Sequence, residues 1–177
     1  MSLPHTFTGK DGRKAIIRRI QPNDTALLVD MWHHLSDETK RLRFHAHPKN
    51  LPDDELWKRA MALAKLDPAR QVAVVAVIQD DDGEHAVGVA RLSRATPSDT
   101  LAETAVVVRD DYQQIGLGTH LLHNLAEIAR AMGITKFEAW VLAENRPVME
   151  IIRRFGFPIG MDTRQGETHV VLDIDPH

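Results

Sequence analysis

The stretch LAETAVVVRDDYQQIGLGTHLLHNLAEIARAMG, residues 101–133, decides how this chain is read. It divides into a strand, a tight turn and a helix. Val106, Val107 and Val108 centre the strand, residues 101–109, and the turn runs from Asp110 to Gly118. Beyond it, Leu117, Leu121, Leu125, Ile128 and Met132 recur at helical spacing on one face. Gly133 stands where a helix commonly ends on a left-handed residue. The turn is the candidate site. Gly116 and Gly118 have no Cβ and let a ligand approach the backbone closely. The open N–H groups of a first helical turn, with the helix dipole, suit a phosphate or pyrophosphate. Taken alone, the glycine pair fits an ordinary turn equally simply.

Bulk properties narrow the field. A chain of 177 residues with 43% hydrophobic content reads as one domain, with an ordered core over about 14–175. A net charge of −3 gives no global case for nucleic acid or an anionic membrane. The basic clusters Arg18-Arg19 and Lys40-Arg41-Leu42-Arg43 read as solvated faces. With no cysteine there is no disulfide, thiolate metal site or catalytic thiol. No apolar run approaches a membrane span, and residues 1–5 lack a signal-peptide layout. A cytoplasmic location is the expectation.

The remaining chain supplies the context. Residues 1–13 read as a loose end and a turn, and 15–20 as a first strand. Pro22 opens a helix carrying Leu27, Leu28, Met31, Trp32 and Leu35. Ser36 caps a second helix through Phe44, ended by residues 45–48, and a third runs from Pro52 to about Leu66. Strands at 71–79 and 85–94 flank the turn at 80–83. Residues 136–142 form a strand and 146–155 a short helix. Strands at 157–162 and 168–174 pair around Gln165-Gly166. This order is a mixed α/β pattern with an antiparallel meander at its middle.

Several ordered motifs resemble one family. Gln113-x-x-Gly116-x-Gly118 resembles the Q/R-x-x-G-x-G/A signature of GNAT-superfamily N-acetyltransferases, which cradle the pyrophosphate of acetyl-CoA. Ala102-Glu103 and the valine strand precede it, as in that family, and residues 145–157 resemble its asparagine-to-Gly-Phe segment. Residues 35–44 resemble the first helical region of bacterial protein lysine acetyltransferases, the most similar group. The resemblance implies an α/β (α+β) fold, a mixed, mostly antiparallel sheet flanked by helices. In that fold the central strand and the strand after the helix splay, and the pantetheine arm fills the gap. It implies acetyl-CoA as co-substrate. Gln113, Gln114, Ile115, Gly116, Leu117, Gly118 and Thr119 then surround the pyrophosphate. The backbone of Val106, Val107 and Val108 meets the pantetheine, with the Val108 N–H as oxyanion donor. Asn145 contacts the arm, or simply caps its helix.

Glu103 is the catalytic candidate. An amine nucleophile is protonated at neutral pH, since lysine has a pKa of about 10.4. A carboxylate near the thioester can take that proton if burial makes it more basic. In the lysine acetyltransferases that this chain resembles, a glutamate on this strand has that role. Ile152 departs from the family pattern, which often has an acidic tyrosine there; the single tyrosine is Tyr112. His33-His34, His45-x-His47 and His120-x-x-His123 lack a completing carboxylate or cysteine, so no metal site is expected. His120 is expected near the phosphates from its place in the first helical turn. The leading reading is direct acetyl transfer to an amine, first a protein lysine. The alternatives are a small amine as acceptor, a non-catalytic acyl-CoA sensor, and dinucleotide binding. The last lacks the third glycine after Gly116-x-Gly118-x-x-Leu121.

Overall fold

A computed structural model describes residues 2–45 and 51–176. The expected end of the second helix at 46–48, and His47 of the second histidine pair, lie outside the described residues. Among these described residues eight strands form one sheet: β1 His5–Thr8, β2 Lys14–Arg19, β3 Gln71–Asp80, β4 Gly83–Ser93, β5 Leu101–Val108, β6 Lys136–Leu142, β7 Ile159–Arg164 and β8 Glu167–Asp173. Their order across the sheet is β1-β2-β3-β4-β5-β6-β8-β7. Among the described residues only β5 and β6 pair in parallel; the other neighbours are antiparallel. The helices are α1 Thr25–His34, α2 Asp37–Phe44, α3 Asp53–Ala64, α4 Leu117–Ala131 and α5 Arg146–Arg154. No helix among the described residues is long and apolar enough to cross a membrane.

The valine-rich run of β3 is buried from Val72 to Val77 because both sheet faces are covered. On one face, Leu117, Leu121 and Leu125 of α4 pack with Val74, Ala90, Val106 and Val108. On the other, Leu28 and Met31 of α1 and Leu56 of α3 pack with Val75, Val77 and Val89. Leu121 and Leu125 are completely buried, worth about 1.5–3 kcal/mol each. Along β5 the faces alternate. Thr104, Val106 and Val108 turn toward α4, and Glu103, Ala105 and Val107 toward α1 and α3.

The opening residues differ from the expectation. Instead of a loose end they supply β1, which pairs with β2 from His5↔Ile17 to Thr8↔Lys14. A four-residue edge strand with polar alternate positions takes its form from its partner, so its pattern is too short to read alone.

Gly88 of β4 lets α4 sit on the sheet. A Cβ there would lie 2.8 Å from Leu121 Cδ1 and 3.3 Å from Leu117 Cδ2. We therefore expect Gly88→Val to lower unfolding stability by about 1–3 kcal/mol, as overpacking of a filled core does. A urea melt measures the loss.

Candidate functional site

The sheet opens at its parallel pair. The β5–β6 rungs are Leu101↔Lys136, Ala102↔Phe137 and Glu103↔Glu138, and they end there. β5 continues beside β4 as far as Gly88↔Val108, and β6 stays paired with β8 to Leu142↔Glu167. A V-shaped gap follows, walled by Leu42 of α2 and by Val148 and Ile152 of α5. It continues past Val106, Val108, Gln113 and Asn145 to the loop before α4.

Backbone alternation decides which groups face this gap. Arg109 donates to the Val87 carbonyl at 2.9 Å, so β5 directs that residue's bonds to β4. By the antiparallel pattern, Ala105 and Val107 also turn N–H and C=O to β4, while Thr104, Val106 and Val108 turn theirs to the gap. The expectation that all three valines meet the ligand is thus corrected for Val107, whose backbone belongs to the ladder. The Gln113 side-chain amide donates to the Val108 carbonyl at 3.1 Å and closes one end.

The loop before α4 presents helix donors as expected, but its two glycines act differently from one another. Gly116 is the N-cap of α4 at φ 93°, with no side-chain cap bond. The first helical bond recorded there is His120 N–H to the Gly116 carbonyl, 3.1 Å, so Leu117, Gly118 and Thr119 precede it in the open first turn. Gln114 also holds a left-handed φ of 63°. Gly118 serves packing: a Cβ there would collide with Ile151 Cδ1 of α5. Gln113, Gln114, Gly116, Gly118 and Thr119 line this end of the groove. Ile115 does not; its side chain is in the core and its carbonyl accepts from Lys10 N–H at 3.1 Å. Leu117 lines the groove and is also core. The sequence reading missed Arg146 and Arg154, one α-helical face apart by eight residues, which line the same end. Asn145 caps α5, its Oδ1 accepting from Val148 N–H at 3.3 Å, and it also lines the gap.

Helix α2 roofs the gap and is fastened to the loop by Asp110. Ser36 N–H and Oγ donate to the Asp110 carboxylate at 2.9 and 2.7 Å, and Thr39 Oγ1 donates at 2.6 Å. Partial burial works against ionisation of Asp110, but these hydrogen bonds outweigh it and hold its carboxyl below the usual value.

Glu103 sits at the apex, on the last rung before the strands part, and shares an open cavity with Glu138. The burial its proposed role called for is absent: Glu103 is exposed, because it stands on the uncovered end of an outward-facing row. Glu138 accepts from His169 Nε2 at 3.0 Å, and His169 stacks on Trp140 with ring centroids 4.2 Å apart. Arg43 overturns the reading of its cluster as a solvated face. It lines both the gap and a cavity beneath α1 and α3. Its Nε is buried and has no hydrogen-bond partner among the described residues. Arg18 is likewise half-buried, paired with Asp24 at 2.7 Å and Glu84 at 2.9 Å.

The histidines do different work from that expected. His120 turns from the phosphate end to β1, with Nε2 2.8 Å from His5 Nε2, and His123 packs on Phe155. One group with metal-ligand spacing occurs among the described residues, Asp80, Asp82 and His85 in the β3–β4 hairpin. Both His85 nitrogens already face carboxylates, Asp30 at 2.7 Å and Asp80 at 3.2 Å. The hydrogen bond to Asp30 raises its basicity, so this group reads as an ion pair.

Comparisons with known proteins agree with this geometry. A family model described as acetyltransferase (GNAT) family matches residues 29–157. Acetyltransferase PA5475 of Pseudomonas aeruginosa is 28% identical over 161 residues, covering 91% of this chain and 83% of that protein. Acetyltransferase Pat of Mycolicibacterium smegmatis is 39% identical over 67 residues, 38% of this chain and 20% of that one. The crystal structure of the GNAT domain of S. lividans PAT matches with a TM-score of 0.81 at 26% identity, covering 96% of both chains.

Two outcomes follow from the loop. Gly118→Ala should destabilise the chain by about 1–3 kcal/mol, and adding Ile151→Val, which deletes the colliding methyl, should recover most of it. Denaturant melts of the single and double variants measure this. The Asp110 tie is a depressed carboxylate, so its contribution is present above the ordinary value of 3.8. It is lost as pH falls below that and through the lowered folded value. Amide-exchange protection of α2, corrected for intrinsic rates, should fall over that acid window, and Asp110→Asn should lower it at neutral pH.

Proposed function

We propose that this chain, which belongs to the acetyltransferase (GNAT) family, transfers an acetyl group from acetyl-CoA directly to an amine. One observation carries the reading: the strands part immediately after Glu103↔Glu138, and the gap leads to the uncapped start of α4. In this reading the pyrophosphate lies on the N–H groups of Leu117, Gly118 and Thr119, with Arg146 and Arg154 beside it. The pantetheine amides add to the free edge at Val106 and Val108, as a strand would. The thioester then lies toward the apex, while the Val108 N–H, expected as oxyanion donor, stands at the loop end of β5 and falls to the pantetheine arm in this reading.

Glu103 takes the amine proton, directly or through a water. The amine attacks the thioester carbon, the C–S bond breaks and the sulfur leaves as the CoA thiolate. Ile152 is buried and apolar, so it offers no proton to that sulfur. A thiol pKa of about 8.5 makes CoA a fair leaving group without one. A protein lysine is the acceptor that the resemblance of residues 35–44 favours. The open placement of Glu103 beside Glu138 supports it, since two carboxylates on an accessible face attract an ammonium. A small amine is the second reading. It is favoured by the cavity beneath α1 and α3, whose mostly apolar walls carry a few charged side chains, as the walls of small-molecule sites do.

The test is Glu103→Gln. We expect turnover to fall by about 10²–10⁴-fold with acetyl-CoA affinity nearly unchanged. Unchanged turnover at saturating substrates removes Glu103 from the mechanism. Mass spectrometry of a deacetylase-treated lysate given the chain and acetyl-CoA reads the acceptor: new acetyl-lysines that need Glu103 support a protein substrate.

A further inference from the structure

Beneath α1 and α3 two arginines converge without an acid to neutralise them. The cavity there has apolar walls and three cationic side chains, Arg43, Arg59 and Arg91; no Asp or Glu is among its described lining residues. Arg59 is already paired with Glu55, Nε to Oε1 at 3.1 Å. The other two are not. Arg43 Nε is buried without a hydrogen-bond partner among the described residues. Among those residues the Arg91 side chain has no ion pair either. Arg91 stands opposite Ala105, two positions from the Ser93↔Glu103 rung. Successive same-face residues are about 7 Å apart along a strand. Arginine side chains and Glu103 therefore share one neighbourhood.

The electrostatics agree with this placement. Burial and the charge of Arg91 push Arg43 down to about 10, and the charge of Glu103 acts the other way. Two guanidinium groups against apolar walls are costly unless a counter-charge arrives. Glu103 pairs with neither guanidinium among the described residues, so a carboxylate brought in by a ligand would supply the missing counter-charge. The phosphates of acetyl-CoA do not answer this need, because the proposed reading places them at the far end of the gap, on α4.

We infer that Arg43 and Arg91 bind a carboxylate carried by the acceptor, with the acceptor's apolar body in the cavity and its amine turned to Glu103. This rests on the acetyl-transfer reading of the site. Guanidinium groups match the two oxygens of a carboxylate and hold it in one orientation. That would fix the amine next to Glu103 before reaction. A free apolar amino acid and a peptide with an acidic residue beside its lysine share this chemistry.

Calorimetry on the whole chain separates these sources and does not depend on turnover. The small-molecule arm compares L-phenylalanine and L-methionine with their amides. The peptide arm compares N-acetyl-Ala-Lys-Glu-Ala-amide with its glutamine counterpart. We expect the carboxylate to bind about ten-fold or more tightly than its neutral partner in one arm. Preference in the first arm identifies an amino acid, and in the second an acidic peptide. Arg91→Gln, at a half-exposed strand position, should remove the preference, and Arg43→Gln should do the same if it folds. No preference in either arm overturns the inference, as does a preference that survives Arg91→Gln. Acetyl-CoA binding and Glu103-dependent transfer are measured separately. If those fail while the carboxylate preference holds, the acetyl-transfer reading is what falls.

Discussion

The parting of β5 and β6 after three rungs governs everything else in this fold. Each strand keeps a full ladder on its outer side, β5 with β4 and β6 with β8, so neither is free to close on the other. Leu42, Val148 and Ile152 line the space between them. The gap leaves backbone donors and acceptors of Thr104, Val106 and Val108 turned away from any strand. Such groups cost about 1–3 kcal/mol each when buried and unmet. A narrow apolar groove with a row of amide partners along one wall is suited to a thin ligand that carries amides of its own.

A single loop holds both walls of that groove. Asp110, at its start, fastens α2 through Ser36 and Thr39. Gly118, at its end, lets α4 lie against Ile151 of α5. Gln113, between them, caps the Val108 carbonyl. The residues that read from sequence as a ligand cradle are therefore also the fastening of the two helices that enclose the ligand's path. This explains why glycine is required at position 118 even in the free chain.

Most of the elements were legible because each has a period longer than one turn or one rung. The face of α4, the valines of β3 and β5 and the cap at Ser36 are local signals. Three features were not. β1 is four residues long and depends on β2 for its form. The β5–β6 ladder ends at Glu103↔Glu138, and no property of residues 101–109 announces it; only the family resemblance supplied the splay. Arg43 sits in a basic run that looks solvated. Its burial comes from α2 lying across the sheet, a tertiary fact. In α2 its neighbours Arg41 and Lys40 turn outward, Arg41 to Glu38 and Glu144, and Lys40 over the Trp32 ring. One helical turn thus separates a solvated cation from a buried one.

The exposure of Glu103 then takes on a definite meaning within the proposed mechanism. An ammonium must lose a proton before it attacks, and the protein alone does not withdraw Glu103 from solvent. Its surroundings are nonetheless divided by charge. Glu138 lies beside it on the open face, and Arg43 lies on the enclosed side. In the proposed mechanism, ligands that fill the gap and the cavity would displace water from the enclosed side, where the arginines are, and leave the acidic face open. Within that mechanism the ligands themselves would exclude water from Glu103, and only when both are in place. In a site with no thiol to hold the acetyl group as an acyl-enzyme, that coupling ties proton removal to the moment when amine and thioester meet.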